Sequence, residues 1–283
     1  MMSSTQENPS TPPRLGLALS GGTAKVIAHV GVLKALEEEN LIPDLIAGTS
    51  GGSMVAVIYA SGMGVEALTE LARELNWKKL ARIHLPKLGL LSSERLEKFM
   101  LEVLGDLRFE DLKIPTKVIA TNLLTGQKTV FSHGRIAPVI RASCSIPQIF
   151  APVEIDGGLY TDGGVVEYLP LNTLEEFDCQ IRVGVHLGAY LDFSEPPQHI
   201  LGMIMRVIGL VAVHNAQHSA RLADVLIKPD LRGFGGFDLE RADALIEAGY
   251  VSARQAIPDI KRAIEEHEAG IWKRMKSKLQ RKH

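Results

Sequence analysis

Two rhythms of apolar residues alternate along this chain. Short apolar runs such as Leu15-Gly16-Leu17-Ala18-Leu19 and Asp44-Leu45-Ile46-Ala47 predict buried strands. Longer stretches, in which apolar positions recur at helical spacing, predict helices between them. In the stretch 26–39, Val26, Val30, Leu33 and Leu36 share one face while Glu37, Glu38 and Glu39 face water. Further strands are predicted at 116–121, 128–131, 181–187 and 224–227, with Thr125-Gly126 as the turn between the first two. The glycine-rich segment 153–162 reads as a hairpin leading into a loop. Helices are predicted at 53–60, 65–75, 94–104, 136–142 and about 239–268, the third capped by Ser92 or Ser93. Alternation of this kind predicts an α/β fold: one domain with a mainly parallel central sheet flanked by helices. No solenoid-type repeat and no interdomain linker interrupts it.

Composition narrows the class without naming a function. Of 283 residues, 46% are hydrophobic and 23% charged, ordinary values for a globular chain with a sizeable core. A net charge of −2 gives no general pull toward nucleic acid. Cys144 and Cys179 make neither a metal spacing nor a disulfide framework and read as small buried residues. Residues 1–13 are polar and proline-rich, lack the apolar core of a secretion signal, and read as a disordered lead-in. The domain is expected over 14–268, followed by a basic tail at 269–283. The most apolar later stretch, 200–213, is interrupted by Arg206 and is too short to span a bilayer. A cytoplasmic protein with at most peripheral membrane contact is expected.

The most informative chemistry is Gly48-Thr49-Ser50-Gly51-Gly52, which follows a predicted strand and precedes a predicted helix. Strand, tight turn and helix with Gly-x-Ser-x-Gly at the turn is the setting of a nucleophile elbow. The competing reading is a glycine-rich packing turn. A second element, Ser20-Gly21-Gly22-Thr23-Ala24-Lys25, can aim successive backbone N–H groups into one concavity. It could cradle a phosphate or form an oxyanion hole, but neither a P-loop nor a dinucleotide pattern is present. Lys25 reads equally as a solvated loop lysine or as a group steadying the loop or an anionic head group.

A hydroxyl nucleophile needs a base. Asp156-Gly157-Gly158 and Asp162-Gly163-Gly164 both offer a carboxylate on a loop, and spacing alone leaves the choice open. Of nine histidines, His29 comes closest to a role as base because it lies on the helix leaving the glycine loop. His214 and His218 stand four apart on a predicted helix, but no third ligand accompanies them and no metal is expected.

Taken together, four blocks in this order resemble the patatin-like phospholipases. They are Leu17 through Leu33 with the glycine loop, Gly48 through Gly52, Arg141 through Pro147 with Phe150 and Pro152, and Tyr160 through Val166 ending in Leu169-Pro170. The resemblance covers most of 15–264. It implies that Asp162, 112 positions after Ser50, is the dyad aspartate, and that Asp156 lies in the turn before it. It further implies an acyl-enzyme mechanism without histidine or cofactor. The oxyanion hole would fall at Gly21, Gly22, Thr23 and Lys25, and the substrate would be a phospholipid, lysophospholipid or simpler lipid ester. An α/β-hydrolase is disfavoured, because it expects several strands before the nucleophile and a downstream histidine.

The chain departs from the family pattern at several positions. Thr23 and Val26 stand where glycine is usual, Lys25 where arginine is commoner, Gln148 where glycine is frequent, and Glu167 and Tyr168 where asparagines are common. A positive φ at position 23 would strain a β-branched threonine and reshape the oxyanion hole. These departures motivate the alternative of a weakly active member that binds lipid or regulates a partner. Two segments are candidate lipid contacts. In the basic tail, Ile271, Trp272, Met275 and Leu279 have helical spacing suited to an anionic bilayer, or to packing on the domain. Residues 200–213 read as a core helix, with a flap over the acyl pocket as the other reading.

Overall fold

The computed structural model describes residues 14–75, 82–83, 91–188, 196–236 and 238–280, with 82–83 and 271–280 described by backbone course alone. Strand β1 (Leu15–Leu19) leads through the glycine loop and a short 3-10 turn (Ala24–Ile27) into α1 (Ala28–Glu38). Next come β2 (Leu45–Thr49), α2 (Gly51–Ala60) and α3 (Val65–Glu74), then a small ribbon of β3 (Arg82–Ile83) and β4 (Leu91–Ser92). Helix α4 (Glu94–Leu104), strands β5 (Thr116–Asn122) and β6 (Lys128–Phe131), and α5 (Ile136–Ser143) follow. The hairpin of β7 (Val153–Ile155) and β8 (Gly158–Asp162) precedes α6 (Leu171–Glu176) and β9 (Ile181–Val185). The described chain closes with α7 (Ile200–Ser219), β10 (Val225–Ile227) and α8 (Ala242–Gln280).

The main sheet has the order β10-β9-β1-β2-β5-β8-β7, with β6 also paired to β5. Strands β10, β9, β1, β2 and β5 are all parallel, whereas β6, β8 and β7 add antiparallel pairs at one side. The fold is therefore α/β, with a mainly parallel sheet carrying an antiparallel edge. Alternation along the strands splits the core in two. Leu17, Leu19, Ile46 and Val118 join one apolar cluster, packed under α1 to α4 and α8. Ala18, Leu45, Ala47 and Ile119 join the other, under α6 and the C-terminal half of α7. Helices α1 and α8 meet backbone to backbone: a Cβ at Gly31 would run into the Ile246 carbonyl, and one at Gly249 into the Ala28 carbonyl.

Several elements run differently from expectation. The helix expected at 26–39 begins as a 3-10 turn, because the glycine loop enters it without a side-chain cap. Ser92, not Ser93, accepts from the first amide of α4, at 3.2 Å from Glu94 N, while Ser93 Oγ instead meets Ser145 Oγ at 3.1 Å. Residues 200–213 do not form a core helix, and the expectation that they are too short to span a bilayer is corrected: the helical stretch 200–222 is long and apolar enough by length and composition alone. Helix α7 continues past Val213 through polar residues to Ser219, and most of its apolar side chains are exposed. The expected lead-in 1–13 lies outside the described residues. So do the side chains of the tail stripe Ile271, Trp272, Met275 and Leu279, although α8 continues to Gln280. Both cysteines are free.

Candidate functional site

The register of β5 builds the site. On one edge of β5, Ile119 pairs with Thr49 of β2, and the next residue, Ala120, pairs with Asp162 of β8. Since β6 occupies the other edge at Ile119 and Ala120, β2 and β8 meet end to end along a single edge. Ser50 follows Thr49, so the end of β2 delivers it to the end of β8. Ser50 Oγ donates to Asp162 Oδ2 at 2.6 Å, and both residues are buried.

Ser50 sits at the turn from β2 into α2 with φ 53 and ψ −133, a conformation that costs a non-glycine residue on the order of 1–3 kcal/mol. Its surroundings hold it there. Its amide donates to Ser143 Oγ at 2.9 Å, and Ser143 Oγ donates to the Ile119 carbonyl at 2.6 Å. Ser53 Oγ donates to the Ser50 carbonyl at 2.6 Å. The glycine loop lies directly against this elbow, since a Cβ at Gly52 would strike the Leu19 and Ser20 carbonyls. The amides of Gly51 and Gly52 open α2 and carry no hydrogen bond among the described residues, so the positive end of this helix faces the serine.

Asp162 is held as firmly. Its Oδ1 accepts from Gly164 N at 2.7 Å, its amide donates to Ser145 O at 2.9 Å, and Thr121 Oγ1 donates to its carbonyl at 2.7 Å. Burial raises its pKa to about 6, although the hydrogen bonds from Ser50 and Gly164 pull the other way. Asp156 lies at the opposite end of β8, in the β7–β8 turn, where its φ of 49 and the 77 of Gly157 suit a tight hairpin.

In the glycine loop, Gly21 N–H already donates to Tyr168 O at 3.1 Å, and Ala24 N–H to Gly236 O at 2.9 Å. The amides of Gly22, Thr23 and Lys25 carry no hydrogen bond among the described residues. Gly22 takes the positive φ of 154, whereas Thr23 has φ −68 and ψ −112, outside the left-handed region but also outside the ordinary α and β regions. Val26 is buried against Gly51, filling the space left by that glycine. The Lys25 side chain is half-buried. Desolvation lowers its pKa and the Asp238 carboxylate partly restores it.

His29 is not beside the serine's proton. It is fully buried, and its Nε2 meets the Ser20 carbonyl at 2.9 Å. Desolvation lowers its pKa to about 4, so at neutral pH Nε2 carries the proton and donates it, leaving Nδ1 without a partner. This histidine braces the glycine loop. Cys144 is part-buried beside Ser50 and Ser53, and burial pushes its thiol pKa up, with the Asp162 charge adding to the effect. Among the described residues no cluster of three or more His, Cys, Asp or Glu is placed to hold a metal, and that includes His214 and His218.

One departure from the family pattern has a structural explanation. Glu167 is buried, accepts from Thr173 N at 3.1 Å and Thr173 Oγ1 at 2.8 Å at the start of α6, and pairs with Lys128 Nζ at 3.0 Å. Gln148 has φ 67, so the position favours the glycine frequent in the family, and nothing in the structure explains the glutamine. Sequence reasoning missed Asn215 of α7. Its Oδ1 accepts from Tyr168 N at 3.0 Å and its Nδ2 donates to Gly164 O at 2.8 Å, clamping the loop that follows Asp162. Asn215 follows the apolar run among His214, Gln217 and His218, so its residue type alone gave no signal.

Comparison with known proteins agrees with this architecture. A family model described as patatin-like phospholipase matches residues 17–174. An uncharacterized NTE family protein of Mycobacterium tuberculosis is 34% identical over 182 residues, covering 63% of this chain and 50% of that one. Lysophospholipase NTE1 of Kluyveromyces lactis is 26% identical over 267 residues, covering 83% of this chain and 18% of that one. The chain thus spans about half the length of the mycobacterial relative and under a fifth of the fungal one. In fold it is similar to VipD from Legionella pneumophila, with a TM-score of 0.58, 15% identity, and coverage of 91% of this chain and 68% of that one. The chain belongs to the patatin-like phospholipase family.

Proposed function

We propose that this protein hydrolyses acyl esters of lipids through a Ser50–Asp162 dyad. The carrying observation is the 2.6 Å hydrogen bond from Ser50 Oγ to Asp162 Oδ2 at a strained elbow. Asp162 takes the proton as Ser50 Oγ attacks the ester carbonyl, then returns it to the departing alcohol, leaving an acyl-Ser50. Water attacks that ester, Asp162 takes its proton and returns it to Ser50 Oγ as the acyl–oxygen bond breaks, and the fatty acid leaves. A base pKa of about 6 suits proton transfer near neutrality better than an ordinary carboxylate would. The developing oxyanion is stabilised by the uncommitted amides of Gly22, Thr23 and Lys25 together with Gly51 at the start of α2. Gly21 shapes the loop rather than donating, because Tyr168 O already takes its N–H.

Family membership and relatives named lysophospholipase favour phospholipids and lysophospholipids as substrates. A wholly apolar pocket lined by residues including Val26, Met54, Val55, Leu68 and Phe99 begins one turn along α2 from Ser50 and is the candidate seat of the acyl chain. Its volume of about 30 Å³ holds roughly two waters, so a fatty chain would have to part these side chains. The alternative of a weakly active lipid-binding member loses part of its motive, since Glu167 serves an ion pair. A fluorophosphonate probe should label Ser50, and lipid-ester hydrolysis should disappear in Ser50→Ala and Asp162→Asn. A folded protein that neither reacts with the probe nor cleaves any ester of a lipid panel would refute the proposal.

A further inference from the structure

Helix α7 presents its apolar stripe to solvent. Ile200, Met203, Val207, Leu210 and Val211 recur at helical spacing, yet Ile200 is 82% exposed and Met203 and Val207 are each 52% exposed. The side turned toward the protein carries the small residues Ala212, Ala216 and Ser219. An ordinary surface helix has the opposite polarity, and a contiguous exposed apolar patch marks a contact surface. The segment is also one-sided in charge. No Asp or Glu occurs from Pro196 to Ala223, where Arg206 and Arg221 stand, although the whole chain has a net charge of −2.

We propose that this face of α7 docks on the surface of an anionic lipid bilayer and brings the site to its lipid; the inference rests on the hydrolase reading above. Cationic and apolar groups without acids match a bilayer interface in both charge and polarity. Length and composition alone would let residues 200–222 cross a membrane, with a mean hydropathy of 1.4. The C-terminal part is committed elsewhere, because Asn215 is hydrogen-bonded to Gly164 and Tyr168, and Ala212 and Ala216 are buried. The part before Ala212, residues 200–211, is about 18 Å long, against a hydrocarbon core of about 30 Å. The helix therefore lies along the interface. The same surface reaches the site: Val165, three residues beyond Asp162 and 39% exposed, has its carbonyl beside Asn215 Nδ2 at 3.4 Å.

The test is co-sedimentation of the full chain with vesicles of phosphatidylcholine alone or with 30 mol% phosphatidylglycerol (roughly a bacterial-like anionic surface), alongside Met203→Glu/Val207→Glu and Ser50→Ala. Both substituted side chains of the double variant are exposed, and its melting temperature reports folding. The unsubstituted chain and Ser50→Ala should partition onto the anionic vesicles, and the double variant at least about tenfold less. Equal partition of the double variant would overturn the proposal and shift docking to the basic tail. No partition of the unsubstituted chain, or loss of a dimer on gel filtration as the double variant's main effect, would overturn it too. If docking depends on α7 while no ester is hydrolysed, the function proposal fails and this one stands.

Discussion

Thr49 and Asp162 pair with consecutive residues of β5, on the same edge of that strand. Two segments more than a hundred residues apart thereby end at one point, and the backbone ladder sets the distance between the serine and the carboxylate. No flexible side chain has to search for its partner. Preorganisation of this kind is what the proposed dyad requires.

The first prediction concerns the charge of Asp162. It must be ionised to accept the proton, and burial raises its pKa to about 6. The kcat/KM for a water-soluble ester should therefore fall about tenfold per pH unit below pH 6, rather than below the usual 3.8. A profile flat to pH 4.5 would contradict this assignment. The same shift bears on stability. The folded protein holds the proton more tightly than the unfolded chain, so the charged form costs stability above pH 6, and the cost is relieved as pH falls toward 3.8. Asp162→Asn should thus lose about 10³-fold in kcat yet unfold with roughly 2–3 kcal/mol greater stability at pH 8, measured by urea denaturation.

His29 has the opposite linkage. Its folded pKa of about 4 lies below the ordinary 6.5, so its contribution is intact above 6.5 and is lost as pH falls toward 4. For this residue the loss approaches about 3 kcal/mol. His186, lowered to about 4 by burial and by Lys228, adds in the same direction, while Asp162 opposes both below pH 6. Urea denaturation at pH 7.5 and pH 5 should show a smaller difference for His29→Gln than for the unsubstituted chain. An equal difference would show that His29 is not the buried neutral group described.

Much of this architecture was legible in the sequence, for physical reasons. Buried parallel strands leave uninterrupted apolar runs, and Ser50 stands out because a sharp elbow needs small neighbours. The antiparallel placement of β8 on β5 was not legible, because pairing register depends on partners distant in sequence. Residues 200–213 read as a core helix or a flap from sequence, and their exposure was not legible, since apolarity predicts burial only when the opposing surface is protein. His29 looked like a possible base because its partner, the Ser20 carbonyl, is a backbone group that leaves no trace in residue identity. Whether position 23 needs a positive φ was not legible either, because residue identity does not show which member of the loop takes it; Gly22 does.

Asn215 should behave as a positioning residue. Removing its side chain leaves Tyr168 N–H and Gly164 O without their partner, and frees the loop that donates Gly164 N–H to Asp162. Asn215→Ala should cost about 1–3 kcal/mol of stability and lower kcat about 10- to 100-fold with KM for a soluble ester little changed. Asn215→Asp keeps the acceptor for Tyr168 N–H and loses the donor to Gly164 O, so it should recover only part of the stability. Full activity in Asn215→Ala would show that the Asp162 loop needs no clamp from α7.

Lys128 and Glu167 give the last prediction. Glu167 occupies a position where the family commonly has asparagine, and its side chain is only 2% exposed. Lys128 lies between it and Glu176, at 3.0 Å and 2.7 Å, and those two carboxylates hold its pKa up against desolvation. Removing the cation would leave the Glu167 charge buried with only the Thr173 amide and hydroxyl for support. Lys128→Ala should therefore cost about 3–5 kcal/mol, whereas Lys128→Met/Glu167→Gln, which removes both charges, should cost far less. Thermal melts of the two variants read the difference directly. If the double variant were as unstable as the single one, the value of Glu167 would lie in its hydrogen bonds to Thr173 rather than in the ion pair.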